Sequence, residues 1–251
     1  MWLLRPPGVY VPQGDTRLLL EALRGTTVPR DARMLDVCTG TGVVALAGAR
    51  MGAAEVHAVD LSARAAMAAR LNARMRGLRV TVHRGDFLDH PSGRFDLVTA
   101  NPPYVPSPVP RRHRGPGRGP VTGRTAGGER AGGSGGSRAC DGGDDGREHL
   151  DRLCLRAPQL LAEGGTLLVV HSDMCGTERT LALLREAGLK AAVTARGRQP
   201  FGPLLRARAG WLERRGLIAP GEREEELVVV RADAPASGRA SGSASAPAPG
   251  R

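Results

Sequence analysis

The stretch LDVCTGTGVVALAGARMGAAEVHAVD, residues 35–60, decides the fold. An apolar run over 33–38 ends in TGTG, which reads as a buried strand entering a tight turn. The Ala- and Val-rich segment 43–51 reads as a helix, and AEVHAVD (54–60) as a second strand. Working outward, Ser62 is placed to cap a helix over 63–76. LRVTVHRGD (78–86) alternates apolar and polar residues as a third strand, and FDLVTANPPY (95–104) forms a fourth. Upstream, 14–24 carries a helical apolar stripe whose start Asp15 or Thr16 is placed to cap. After residue 140 the alternation resumes. A helix over about 147–162, strained near Pro158, precedes a strand at 165–172, a helix at 177–187 and a strand at 189–195. A basic helix at 203–216 and a strand at 225–232 close the chain's ordered part. Strands separated by helices of this length predict βαβ units, and so an α/β fold around a doubly wound parallel sheet.

Composition narrows the class. The 251 residues carry 36 Lys plus Arg against 25 Asp plus Glu, a net charge of +11. Lys190 is the only lysine, so the excess is almost all arginine and reads as a coding bias as much as a phosphate-binding face. Much of it falls in 105–139 and 190–216, while 140–189 is acidic. Charge alone therefore does not select a nucleic-acid binder. Four cysteines, Cys38, Cys140, Cys154 and Cys175, form no CxxC pair and have no histidine at zinc-site spacing. No metal is expected, and free thiols fit a reducing, cytoplasmic compartment. No apolar run reaches the roughly 18–20 residues of a membrane span, and MWLLRPPGVYVP has too short an apolar stretch for a signal peptide. Residues 107–138 are rich in Gly and Arg with almost no large apolar side chain, which predicts a disordered insertion. Residues 233–251 are expected to be a tail by the same argument, leaving 1–106 and 139–232 as one domain.

Three signals carry chemistry. In the turn after the first strand, Gly40 and Gly42 let backbone approach a ligand, and the helix start offers unpaired N–H groups. Asp60 ends the next strand where a carboxylate accepts from a ribose diol, with Leu61 beside it. The GxG spacing lacks the third glycine of the dinucleotide fingerprint. An S-adenosyl ligand, which has no pyrophosphate, fits better, and Asp36 suits its ammonium. The second signal is GDF, residues 85–87: Asp86 to accept from an adenine amine and Phe87 to pack on its ring. The third is Asn101-Pro102-Pro103-Tyr104 at the end of the fourth strand. In a doubly wound sheet, that end lies beside Gly40 and Asp60. Two prolines stiffen the backbone and remove competing donors. The asparagine oxygen and a proline carbonyl then form an acceptor surface for a planar NH₂, and Tyr104 can stack on it.

NPPY together with this turn resembles class I S-adenosylmethionine-dependent methyltransferases acting on amide or amino nitrogens. GVYVPQGDTRLLLEAL (8–23) and ACDGGDDGREHLDRLC (139–154) narrow the resemblance to the HemK/PrmC group, in its short branch without an N-terminal helical domain. The group methylates the glutamine of the GGQ motif of peptide-release factors, and eukaryotic members of the branch also act on lysine. The resemblance implies a Rossmann-like seven-stranded methyltransferase sheet, mostly parallel with an antiparallel last strand. It implies S-adenosylmethionine as cofactor, contacted by Thr16, Cys38, Thr39, Gly40, Thr41, Gly42, Asp60, Asp86, Phe87 and Asn101. It further implies a substrate clamp formed by Asn101 to Tyr104. A protein substrate is implied, and a small activator protein as partner, since eukaryotic relatives pair with one. Two positions depart from the pattern: Gly14 stands where an acid is usual, and Cys38 where glycine is common. Competing readings stay open. An adenine amino-methyltransferase on DNA or RNA uses the same NPPY logic, with the basic stretches on phosphates. A small-molecule methyltransferase does not explain the clamp. A non-enzymatic binding module is opposed by the intact Asp60 and NPPY.

Overall fold

A computed structural model describes residues 2–29, 31–89, 93–108 and 140–236. The expected insertion and tail lie almost wholly outside the described residues. In chain order the elements are α1 (Gly14–Arg24), β1 (Arg33–Val37), α2 (Val43–Arg50), β2 (Glu55–Asp60) and α3 (Ala63–Arg74). Then follow β3 (Thr81–Arg84), β4 (Phe95–Ala100), α4 (Glu148–Leu160), β5 (Leu161–Ser172), α5 (Thr177–Glu186), β6 (Lys190–Pro200), α6 (Pro203–Arg214) and β7 (Glu224–Asp233).

The seven strands form one sheet in the order β3-β2-β1-β4-β5-β7-β6. Neighbours from β3 to β5 pair in parallel, whereas β7 is antiparallel to both β5 and β6. The doubly wound sheet and its antiparallel last strand are therefore present. Chain connections run in opposite directions from β1, so the carboxyl ends of β1 and β4 flank a topological switch point, where such folds place ligands. Alternate side chains feed two cores. Met34 of β1 joins Leu19 and Leu23 of α1, Val44 of α2 and Ala66 of α3 on one face. Leu35 and Val37 join Leu150 and Leu153 of α4, Leu184 of α5 and Leu212 of α6 on the other. Burial on both faces explains the unbroken apolar runs Leu167–Val170 in β5 and Leu227–Val230 in β7.

Several boundaries moved for local reasons. Ser62 does cap α3, its Oγ accepting from the Ala65 N–H at 3.3 Å. Neither Asp15 nor Thr16 caps α1; the chain enters from an extended Gln13 without a side-chain cap, and both residues lie inside the first turn. β4 ends at Ala100 because Pro102 and Pro103 have no N–H to extend a ladder. α4 passes through Pro158 unbroken, and Arg94 donates to the Pro158 and Leu161 carbonyls at its end. Asp233, placed in the tail by the sequence, instead closes β7, and the Ala234 N–H donates to the Gly165 carbonyl at 2.9 Å.

Candidate active site

A cavity of about 590 Å³ opens at the carboxyl ends of β1, β2 and β4. It falls within the roughly 300–1,000 Å³ of small-molecule sites. The structure gathers most of the residues expected from sequence onto its wall: Thr16, Asp36, Cys38, Thr39, Gly40, Thr41, Asp60, Leu61, Phe87 and the whole of Asn101 to Tyr104. Gly42 and Asp86 stand outside it. Gly42 serves as the N-cap of α2 at φ 83, and Asp86 is paired with Arg152 of α4 at 2.6 Å while accepting from the Leu88 N–H at 3.1 Å.

The turn after β1 is held by its two acids. Asp36 is 2% exposed and accepts from the Thr39 and Thr99 hydroxyls at 2.5 and 2.7 Å and from the Ala45 N–H at 3.2 Å. Burial pushes its carboxyl up to about 6, against the pull of those three donors. Asp60 accepts from the Gly40 N–H at 2.9 Å and the Ser62 N–H at 2.8 Å, and burial raises it too. Cys38 adopts φ 57, the left-handed region that favours glycine. The departure noted in the sequence is thus a strained residue in a glycine conformation. Asn72, fully buried on α3, donates to the Thr41 and Leu4 carbonyls and fastens this turn to the N-terminal segment.

The other end of the cavity is organised by a residue that sequence reading assigned elsewhere. Asp15 is 2% exposed, and its Oδ2 accepts from the Tyr10 hydroxyl at 2.7 Å, the Asn101 Nδ2 at 3.1 Å and the Tyr104 hydroxyl at 3.2 Å. Asn101 Nδ2 also lies 3.3 Å from the Thr16 hydroxyl. With Nδ2 committed to α1, the Asn101 oxygen is left as the acceptor. Burial and the Asp15 charge push both tyrosine hydroxyls far above their ordinary range, so they remain donors. The signal for Asp15 was present: it shares the buried face of α1 with Thr16, Leu19 and Leu23, an unusual place for an unpaired acid.

Downstream residues support the NPPY backbone. The Cys175 thiol donates to the Tyr104 carbonyl at 3.1 Å. Gly146 has φ 78, and a Cβ there would stand 2.3 Å from the same carbonyl oxygen, so the DGGDDG run is a close approach of backbone to backbone. Arg147, 3% exposed, donates to the Cys175 and Gly176 carbonyls and the Thr180 hydroxyl, tying α4 to α5. Val105 pairs with Asp141 in an isolated parallel bridge, and Val105 and Cys140 line the cavity beside Tyr104. His171, by contrast, is buried off the cavity wall and is pushed down to about 4 by desolvation.

Residues 1–108 match the family model described as a methyltransferase small domain. A Methanocaldococcus jannaschii protein bearing the name "Putative protein N5-glutamine methyltransferase" is 31% identical over 199 residues, covering 79% of this chain and 90% of that one. The release factor glutamine methyltransferase of Mycolicibacterium smegmatis is 34% identical over 194 residues, covering 76% of this chain and 63% of its own. The chain thus spans somewhat under two thirds of that bacterial relative. Among solved structures, the E. cuniculi Mtq2–Trm112 complex, responsible for methylation of the eRF1 translation termination factor, shares the fold. Its TM-score is 0.56 at 20% identity, covering 90% of this chain and 99% of that one. With an archaeal relative matched along nine tenths of its length, the chain belongs to the protein-glutamine N5-methyltransferases, the HemK/PrmC group that its motifs resemble.

Proposed function

We propose that this chain transfers a methyl group from S-adenosylmethionine to a side-chain amide nitrogen, that of the glutamine in the GGQ motif of a class I peptide-release factor. The observation that carries the reading is the orientation of Asn101, whose Nδ2 is taken by Asp15 and Thr16 while its oxygen is left to accept. The residues around the turn suit the cofactor. Thr41 Oγ1 is buried without a hydrogen-bond partner, Asp60 offers a carboxylate on the cavity wall, and Asp36 supplies negative charge for an ammonium. In this reading Cys38 to Thr41 form the cradle, with Gly42 capping α2 behind it and Leu61 and Phe87 against the base, while Asp86 stays with Arg152 outside the cavity. The cofactor supplies a methyl group on a positively charged sulfur, a leaving group that needs no acid.

The protein's part is positioning and electrostatics. Asn101 Oδ1 and the Pro102 carbonyl accept the two N–H groups of the amide, and the fixed φ of Pro102 and Pro103 holds that carbonyl in place. Tyr104, fixed through its hydroxyl, presents its ring to the plane. Asp15 already accepts from three side chains through Oδ2, so it holds the asparagine and is not arranged as a base. A protein that acts on release factors works in the cytoplasm, and no helix among the described residues is long and apolar enough to cross a membrane. The neighbour's assembly with Trm112 supports a small activating partner for this chain as well.

The test is methyl transfer from labelled S-adenosylmethionine to a release factor, to the same factor with the GGQ glutamine replaced by alanine, and to RNA. Label on the intact factor alone is expected. Label on RNA with none on the factor would replace this reading by adenine methylation.

A further inference from the structure

One buried acid beside the site has no part in the clamp. Glu225 of β7 is 5% exposed, and its Oε1 accepts from Gln199 Nε2 of β6 at 2.8 Å, the two residues being partners in the β6–β7 ladder. The oxygen of Gln199 fills the room beside Gly14: a Cβ on residue 14 would stand 1.9 Å from it. A side-chain bridge therefore runs from Glu225 through Gln199 to the first turn of α1, where the next residue, Asp15, holds Asn101. Asp15, the hydroxyls of Tyr10 and Tyr104, and the Cys175 thiol lie within electrostatic reach of Glu225, whose Oε2 is buried without a hydrogen-bond partner. Burial raises both tyrosines first and the Glu225 charge adds to it, and burial, then the Asp15 charge, raise Glu225 in turn.

We propose that Glu225 is an electrostatic positioning residue for methyl transfer, forming with Asp15 a two-carboxylate negative end to the cavity behind Asn101 and Tyr104. The inference rests on the methyltransferase reading above. In the transfer the nitrogen lone pair forms the N–C bond, the S–C bond breaks, and its electron pair stays on sulfur. Positive charge thereby moves from sulfur to the acceptor nitrogen, which afterwards loses a proton to water. Fixed negative charge on the acceptor side favours that movement and is present before the substrate arrives. Glu225 is not on the cavity wall, so it adds charge without competing for the amide protons.

The test uses Glu225→Gln, which keeps the shape and the Gln199 bond but removes the charge. Tyr10 and Tyr104 are the only tyrosines in the chain, so the ring Cζ resonances of tyrosine-labelled, ligand-free protein report this end of the cavity alone. In the wild type both resonances should move in a carboxyl titration above the ordinary glutamate range, and in Glu225→Gln that step should vanish. At about pH 8 the variant should lose about tenfold in kcat, with KM for the release factor and Kd for S-adenosylmethionine within about twofold. Glu225→Asp, which restores the charge, should recover most of kcat. A step of the same midpoint and size in Glu225→Gln, or an unchanged kcat, overturns the proposal; Asp15, which accepts from both hydroxyls, can leave only a step of different midpoint. If the wild type itself transfers nothing to the release factor, it is the functional reading that fails, and the resonances still decide where the Glu225 charge acts.

Discussion

At the scale of single residues, substrate binding turns on which atoms of Asn101 are already used. Asp15→Asn should be costly because a neutral amide accepts less strongly from three donors and brings two of its own. We expect kcat to fall about a hundredfold and stability by about 1–3 kcal/mol, read by denaturant titration beside turnover. Cys38→Gly should act the other way. At φ 57 glycine relieves left-handed strain, and stability should rise by about 0.5–1 kcal/mol. Asp36 sets a pH dependence. Its folded value, raised to about 6, exceeds the ordinary carboxylate value of 3.8, so in the ligand-free protein its contribution to stability is largest below pH 3.8 and is lost as pH rises through 6. A cationic ligand reverses the preference by favouring the carboxylate. S-adenosylmethionine affinity should therefore be flat above neutrality and weaken as pH falls below about 6. Calorimetry in two buffers of different ionisation enthalpy should show proton release near pH 6, and pH-independent affinity would remove Asp36 from the site. The asparagine and the glycines were legible in the sequence because each has one job at a fixed spacing. Asp15 was misread: its place on the buried stripe of α1 was a signal, but an acid in the first turn of a helix usually meets the dipole or caps it, and only the tertiary fold brings Tyr10, Asn101 and Tyr104 to it.

At the scale of elements, the NPPY loop is shaped by segments far along the chain. β1, α2 and β2 announce themselves through apolar runs, and the strand ends then place Gly40, Asp60 and Asn101 together. The support behind Tyr104 has no such period. Gly146 leaves room for the Tyr104 carbonyl, and Arg147 satisfies the carbonyls of Cys175 and Gly176. Gly146→Ala combines an unfavourable φ of 78 with a Cβ 2.3 Å from the Tyr104 oxygen and 2.7 Å from the Cys175 sulfur. It should destabilise by about 2–4 kcal/mol and abolish transfer, with a thermal midpoint as the check. The placing of β7 between β5 and β6 was not read from the segments, although the buried run Leu227–Val230 in β7 and the alternation of β6 distinguish a central strand from an edge strand.

At the scale of the whole molecule, the positive charge falls largely outside the catalytic turn. Arg208 of α6 donates to the Pro106 carbonyl at 2.7 Å and to Asp141 at 2.6 Å. It thereby pins the two ends between which the Gly- and Arg-rich stretch departs and returns. Those ends also share backbone bonds, Val105 N–H to the Cys140 carbonyl and Gly142 N–H to the Val105 carbonyl, each at 2.9 Å. Replacing 111–137 by a short Gly-Ser linker should therefore leave the melting temperature within about 3 °C and cofactor affinity unchanged, while altering KM for the protein substrate. Retained folding with an unaltered KM would deny this stretch a role at the substrate entrance. The most direct measurement of the central claim is to incubate a class I release factor with S-adenosylmethionine and either the wild type or Asn101→Ala, and to locate the added methyl group by mass spectrometry. One methyl group is expected on the GGQ glutamine with the wild type and none with Asn101→Ala, which should still bind the cofactor. A methyl group on another residue, or equal transfer by Asn101→Ala, would contradict it.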